Sequence, residues 1–172
     1  MLRHAIGMPE TPPNVVLVSL ALFMTLFVMQ PTVKDVYAQA WQPFAENRIG
    51  VDEAVAKASE PMKSFMSRNT RPADVALIYE IAGKPVPATA AEVGIFELIP
   101  AFVINELRVA FQIGFVIFLP FLVIDLVISS VLLALGMMMV PPTTIALPIK
   151  ILMFVLIDGW SLVLRGVVGS FR

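Results

Sequence analysis

The stretch that decides the fold runs from Val109 to Pro142 and reads VAFQIGFVIFLPFLVIDLVISSVLLALGMMMVPP. Up to Leu135 it contains a single charged residue, Asp125, which predicts a long apolar helix. It closes with a glycine, three methionines and two prolines, a composition that ends one helix and starts another. Because Thr143–Ile157 is apolar again, the sequence predicts a helical hairpin whose apex is the methionine run.

The composition of the whole chain is typical of a protein that lies in or beside a membrane. Of its 172 residues, 58% are hydrophobic and only 15% are charged, whereas soluble domains carry about 25% charged residues. The net charge of −1 does not indicate a basic surface for nucleic acid, and the chain has no cysteine for a disulfide or a thiolate site. We therefore expect a membrane-associated protein that binds no nucleic acid.

The charges divide the chain into three sections, because residues 31–97 hold 16 of the 25 acidic and basic residues. Residues 1–30 are predicted to contain one apolar helix, uncharged over Asn14–Gln30 and stopped by Pro31. Residues 31–94 are predicted to form a small extramembrane section of amphipathic helices, and residues 95–172 one or more apolar hairpins. The predicted fold class is all-α, with membrane-associated helical hairpins and a small amphipathic helical middle section.

Within the middle section, apolar residues recur at helical spacing from Val51 to Met66, where Pro61 is expected to kink or split the helix. A second helix is expected to open near Pro72 and to stop at Gly83. In the apolar section, we expect Pro100, Pro120 and Pro148 to interrupt the helices.

Charged residues within the apolar section demand partners, since each costs about 2.5–3.5 kcal/mol at the centre of a membrane helix. Asp125 and Lys150 lie at similar depth in the predicted hairpin and can form an ion pair within the chain. Glu106 reaches Lys150 only across a subunit boundary or after a break at Pro120. Two interpretations stay open: packing against other subunits, or a monomeric bundle with internal ion pairs. The residues concerned are Glu106, Arg108, Asp125, Lys150, Asp158 and Arg165.

The residues needed for most enzyme chemistry are missing from the sequence. The single histidine is His4, near the start of the chain, so no metal-histidine or serine-histidine constellation is available. Neither a phosphate-binding nor a dinucleotide-binding glycine motif occurs. We expect no enzymatic activity, no cofactor and no metal.

Three consecutive methionines, Met137, Met138 and Met139, cannot all face one packed core. Methionine often fills irregular gaps in a core, but three at a loop apex exceed that need. Several copies brought to one axis would form a ring of deformable apolar side chains, which closes a channel by excluding water and yields to a passing chain.

Four sequence blocks resemble the FliP family of flagellar export gates, whose injectisome relative is the SctR family. They are MPETPPNVVLVSLALFMTLFVMQP, PMKSFMSRNTRPADVALI, the long block from Ile99 to Pro142, and LPIKILMFVLIDGW. The resemblance covers nearly the whole chain, and GMMMVPP favours the flagellar branch. The family has a cleaved signal and a further apolar helix ahead of the matched part, so we expect Met1 to be a truncated or a misannotated start.

The resemblance implies a pore-forming subunit that conducts unfolded flagellar substrates across the bacterial inner membrane, within the flagellar basal body. Five copies would assemble into a helical oligomer with FliQ and FliR, near FlhA and FlhB. Met137–Met139 would form the gasket, framed by Gly136, Pro141 and Pro142, and Glu106, Asp125 and Lys150 would form structural or intersubunit ion pairs. The alternatives are an injectisome gate subunit, an ion or small-solute channel in which Asp125 and Lys150 act as a selectivity or relay pair, and a membrane scaffold.

Overall fold

The computed structural model describes residues 2–171, and those residues form helices and loops without a strand. The all-α prediction is therefore confirmed. A π-helical turn, Tyr37–Trp41, joins α2 to α3, and a short 3-10 turn, Ala90–Glu92, precedes α6. The helices are α1 (Leu2–Ile6), α2 (Asn14–Val36), α3 (Gln42–Ala45), α4 (Val51–Arg68), α5 (Pro72–Ile81), α6 (Ile95–Ala134), α7 (Pro142–Leu156) and α8 (Gly159–Val168).

The prolines interrupt the helices less than the sequence predicts. The helix α2 continues through Pro31, which was expected to stop it, and α4 is not split at Pro61. Likewise α6 runs unbroken through Pro100 and Pro120, and α7 through Pro148. Each internal proline removes one backbone hydrogen bond. In the apolar helices α2, α6 and α7, leaving the helix altogether would expose several unpaired backbone groups, so these helices persist.

The glycine stops are found where the sequence predicts them. Gly83 ends α5 with φ +64°, and Gly136 follows α6 with φ +71°. This left-handed backbone conformation costs other L-residues about 1–2 kcal/mol. After α5, the Gly83 and Lys84 amides donate hydrogen bonds of 3.0 Å to the carbonyls of Glu80 and Tyr79. These two bonds form a Schellman motif, which satisfies the last carbonyls of the helix.

Two helical stretches are long and apolar enough to cross a membrane among the described residues: Asn14–Ala45 and Ile95–Ala134. A third exists if α7 and α8, which meet at a bend of 62°, are counted as one broken span. The 40 residues of α6 correspond to about 60 Å, twice the roughly 30 Å hydrocarbon thickness of a bilayer. Much of α6 therefore extends beyond any single membrane crossing.

The chain divides into two compact units. Unit 1 comprises the residues up to Ala21 and Val109–Ser170. Its core combines α1 with the two apolar helices α6 and α7, and Phe154 packs edge-on against Trp160 of α8 with 5.7 Å between ring centroids. The buried core residues are Ala5, Ile6, Phe121 and Phe154.

Unit 2 comprises Leu22–Arg108 together with Phe171. Phe65 lies at the centre of its core, 5.9 Å from the Phe102 ring and 6.1 Å from the Phe171 ring, measured between centroids. The buried core residues are Phe65, Met66, Tyr79, Val93 and Leu98. The division into sections 1–30, 31–94 and 95–172 stays a prediction.

Candidate functional site

The methionine run forms the loop between α6 and α7, and the backbone on either side of it defines its shape. The Gly136 amide donates a 3.0 Å hydrogen bond to the Leu133 carbonyl, and the Met137 amide donates a 2.9 Å bond to the Leu132 carbonyl. This is the same Schellman motif that ends α5. On the other side, Pro142 is the first residue of α7, where its fixed φ and missing amide suit a helix start.

The methionine side chains contribute little to the core of their own chain. Met137 is 42% exposed, Met138 80% and Met139 96%. The loop is therefore held by backbone hydrogen bonds, one glycine and two prolines, while the three thioethers face outward. Gap-filling within the subunit does not explain exposed side chains, because a gap-filling methionine contacts core residues on most sides.

Asp125 of α6 and Lys150 of α7 lie together on the two helices that flank the loop. The Lys150 ammonium Nζ is 2.6 Å from Asp125 Oδ2. The lysine side chain is only 6% exposed, whereas that of Asp125 is 34% exposed. A buried lysine needs such a partner because an unpaired charge in an apolar interior is very costly. The geometry is that of an ion pair connecting the two helices of the hairpin.

Glu106 belongs to unit 2 and has a different environment. Its Oε1 accepts a hydrogen bond of 3.4 Å from the Asn105 side chain. Two residues on, Arg108 forms a two-pronged pair with Asp74 of α5, with N–O distances of 2.6 and 2.7 Å. Arg108 and Lys150, two of the cations that suggested contacts with other subunits, are thus paired within the chain.

Asp74 is the residue that the sequence reasoning missed. Its side chain is 2% exposed, while that of Arg108 is 36% exposed, so the pair buries the anion more than the cation. The pair attaches α5 to the first part of α6. The one available signal was Arg108 itself, since an arginine in an apolar helix requires a carboxylate nearby.

The described residues thus define a membrane-associated all-α protein with an exposed methionine loop between two apolar helices. The sequence pattern of the FliP family matches residues 1–167. The chain belongs to the FliP family.

Relatives named "Flagellar biosynthetic protein FliP" cover almost the whole chain. The protein from Pectobacterium carotovorum subsp. carotovorum is 50% identical over 171 residues, which are 99% of this chain and 66% of the relative. The protein from Bacillus subtilis (strain 168) is 48% identical, over 98% of this chain and 76% of the relative. The protein from Buchnera aphidicola subsp. Acyrthosiphon pisum is 46% identical, over 100% of this chain and 45% of the relative. The chain therefore spans about two thirds or less of the Pectobacterium and Buchnera proteins.

Proposed function

We propose that this chain is a pore-forming subunit of a flagellar protein export gate, in which Met137–Met139 of several copies form a gasket around the channel. The observation that carries the proposal is the loop itself. Its three methionines are exposed, and its shape depends on Gly136 and on Pro141-Pro142 rather than on them. The name of the relatives, flagellar biosynthetic protein, supports the flagellar assignment.

Methionine suits a seal that must open for an unfolded chain. Its side chain is apolar, so a ring of methionines repels water and ions in a narrow constriction. It is also unbranched and has three rotatable bonds, so the ring adapts to side chains of different size and shape. A ring of leucine or isoleucine would exclude water too, but with fewer conformations available to close around a substrate.

The remaining parts of the proposal concern the surroundings of this pore. The chain acts without enzymatic activity in the bacterial inner membrane, as part of the flagellar basal body. FliQ and FliR are its partners in the gate, FlhA and FlhB lie nearby, and five copies of this chain make up the homo-oligomer. Unfolded flagellar proteins are the substrates.

An ion channel with Asp125 and Lys150 as its selectivity pair has less support. The two groups are 2.6 Å apart and neutralise each other, whereas a selectivity ring presents charges of one sign to the passing ion. An injectisome gate subunit would use the same loop, but the relatives described above bear a flagellar name.

The test replaces Met137, Met138 and Met139 by alanine in the complete gate. Since the exposed side chains contribute little to folding, the complex should still assemble, and the membrane should leak ions or small solutes. A matched variant with leucine at all three positions keeps the apolar bulk and should remain tight. An alanine variant that assembles and is as tight as the wild type would contradict the gasket.

A further inference from the structure

The first part of α6 has one face inside unit 2 and another face that the described residues leave largely exposed. Leu98 and Ala101 are buried at 1% and 0% exposure. On the other face, apolar residues recur with spacings of three and four positions, so they form a single stripe along the helix. We call this stripe the Phe96 ridge: Phe96 (84% exposed), Ile99 (45%), Val103 (49%) and Leu107 (56%).

Unit 2 also contains an apolar groove. It lies between the helical turns that end the α2–α3 segment and the first half of α4, with a volume of about 220 Å³. Ala40, Ala54 and Ala58 contribute small side chains, which leave room for a larger group. We call it the Trp41 groove, lined by Val36, Ala40, Trp41, Phe44, Val51, Ala54, Val55 and Ala58.

The most exposed residues of the groove are apolar, like those of the ridge. Val51 is 63% exposed, Val55 64%, Trp41 58% and Phe44 37%. Both surfaces belong to the same compact unit, and every copy of the chain carries both. A groove made of small and aromatic residues accepts helix-borne apolar side chains in the way that grooves bind amphipathic helices.

Lipid is a poor occupant for these two surfaces. The two parts of α6 differ in charge. Its first 14 residues contain Glu97, Glu106 and Arg108, whereas from Val109 onward it has a single charged residue. Since α6 is about twice as long as a bilayer is thick, its charged first part can lie outside the hydrocarbon. Trp41 follows Asn14 by 27 residues, which is about 40 Å along a helix. This distance exceeds the thickness of the hydrocarbon layer, so Trp41 can also lie outside it.

We infer that the Trp41 groove of one copy receives the Phe96 ridge of a second copy of this chain. The inference rests on the proposed function, because an oligomeric gate requires contacts between copies. Taking about 200 Å² for a fully exposed aromatic residue and somewhat less for an aliphatic one, the exposed parts of these eight side chains total roughly 800 Å². A standard interface of about 1,600 Å² contains roughly 900 Å² of apolar surface.

We infer a head-to-tail contact rather than a two-fold pair in which each groove receives the other copy's ridge. Each copy uses its groove for one neighbour and its ridge for the next, so copies add in one direction. Contacts of this type generate rings or helices rather than closed pairs. Such a contact would join several copies, as the proposed gate requires.

Phe96 is the best position for a test, because at 84% exposure its side chain is not needed for folding. The chain has no cysteine, so introduced thiols report a single contact. We would introduce Val55→Cys in one tagged copy and Phe96→Cys in a differently tagged copy, express both with the complete gate, and oxidise. A disulfide joining the two tags is the expected result. The matched control pairs Val55→Cys with Val86→Cys, a position between α5 and α6 that is 55% exposed and lies outside both surfaces.

A chain with both Val55→Cys and Phe96→Cys separates the two geometries. Head-to-tail contact gives a ladder of cross-linked species beyond the dimer, whereas a closed pair stops at the dimer and overturns the inference. Absence of the Val55–Phe96 cross-link in a gate that assembles also overturns it.

A failed cross-link leaves the proposed function to its own test, the leak of the methionine-to-alanine variant. If that variant leaks and the cross-link is absent, the gate stands and the interface is wrong. If the cross-link forms and the variant stays tight, the interface stands and the gasket is wrong.

Discussion

Units 1 and 2 end a helix in the same way and then follow it with very different side chains. Gly83 and Gly136 share the left-handed conformation and the same pair of hydrogen bonds. The first leads into the proline-containing linker that begins Lys84-Pro85, and the second into three methionines. Since the linker forms the turn without any methionine, the turn does not require them. The comparison separates the residues that shape the loop from those that the loop presents.

The two units also contain ion pairs of opposite character. In unit 2 the carboxylate of Asp74 is buried and its cation reaches solvent. In unit 1 the ammonium of Lys150 is buried and its carboxylate is partly exposed. In each case the harmful substitution is the one that leaves the buried member alone, because removing one partner of a buried pair costs about 3–5 kcal/mol.

The largest expected effect is that of Arg108→Ala, which leaves the buried Asp74 carboxylate without its partner. We expect the free energy of unfolding in detergent to fall by about 3–5 kcal/mol. Asp74→Ala should cost less, because the Arg108 head group still reaches water. Equal losses for the two variants would show that the burial of Asp74 does not set the cost.

Asp125→Ala should have a similar effect in unit 1, since it leaves the Lys150 ammonium buried and unpaired. The double variant Asp125→Ala/Lys150→Met removes both charges and should recover part of the loss, as replaced buried pairs do. Exchanging the two residues, Asp125→Lys with Lys150→Asp, should restore assembly that either reversal alone abolishes. If the exchange fails and an exchange with Glu106 succeeds, Lys150 has its functional partner in another subunit.

Gly136→Ala should cost about 1–2 kcal/mol, the price of a left-handed conformation for an L-residue. A Cβ at this position meets no atom within 4 Å, so the backbone alone sets the cost. The same holds for Gly83, and Gly83→Ala should lose a similar amount. Gly136→Asn is the milder control, because asparagine tolerates this conformation better. A neutral Gly136→Ala in thermal unfolding would contradict the assigned loop geometry.

Much of the fold follows from the sequence because its signals are local. The apolar runs give α2, α6 and α7, and the glycines give the ends of α5 and α6. The prolines misled because their local cost was weighed alone. In long apolar helices the alternative, several unpaired backbone groups, costs more than one lost hydrogen bond.

The ion pairs show where local signals stop. Asp125 and Lys150 could be matched by depth, because they flank one turn of the hairpin. Asp74 could not be matched to Arg108 across 34 positions, since in sequence it resembles an ordinary acidic residue in the first turn of α5. The Phe96 ridge and the Trp41 groove likewise become visible only once burial is known.

The most direct test of the gasket asks whether methionine loops from different copies meet. Met138→Cys places the only thiol of the chain at the loop apex, where the native side chain is 80% exposed. In the assembled gate, mild oxidation should join Met138→Cys copies to one another by disulfides, while Val86→Cys copies should not cross-link. An assembled gate in which the Met138→Cys copies do not cross-link would show that the loops lie apart, and that no methionine ring closes the channel.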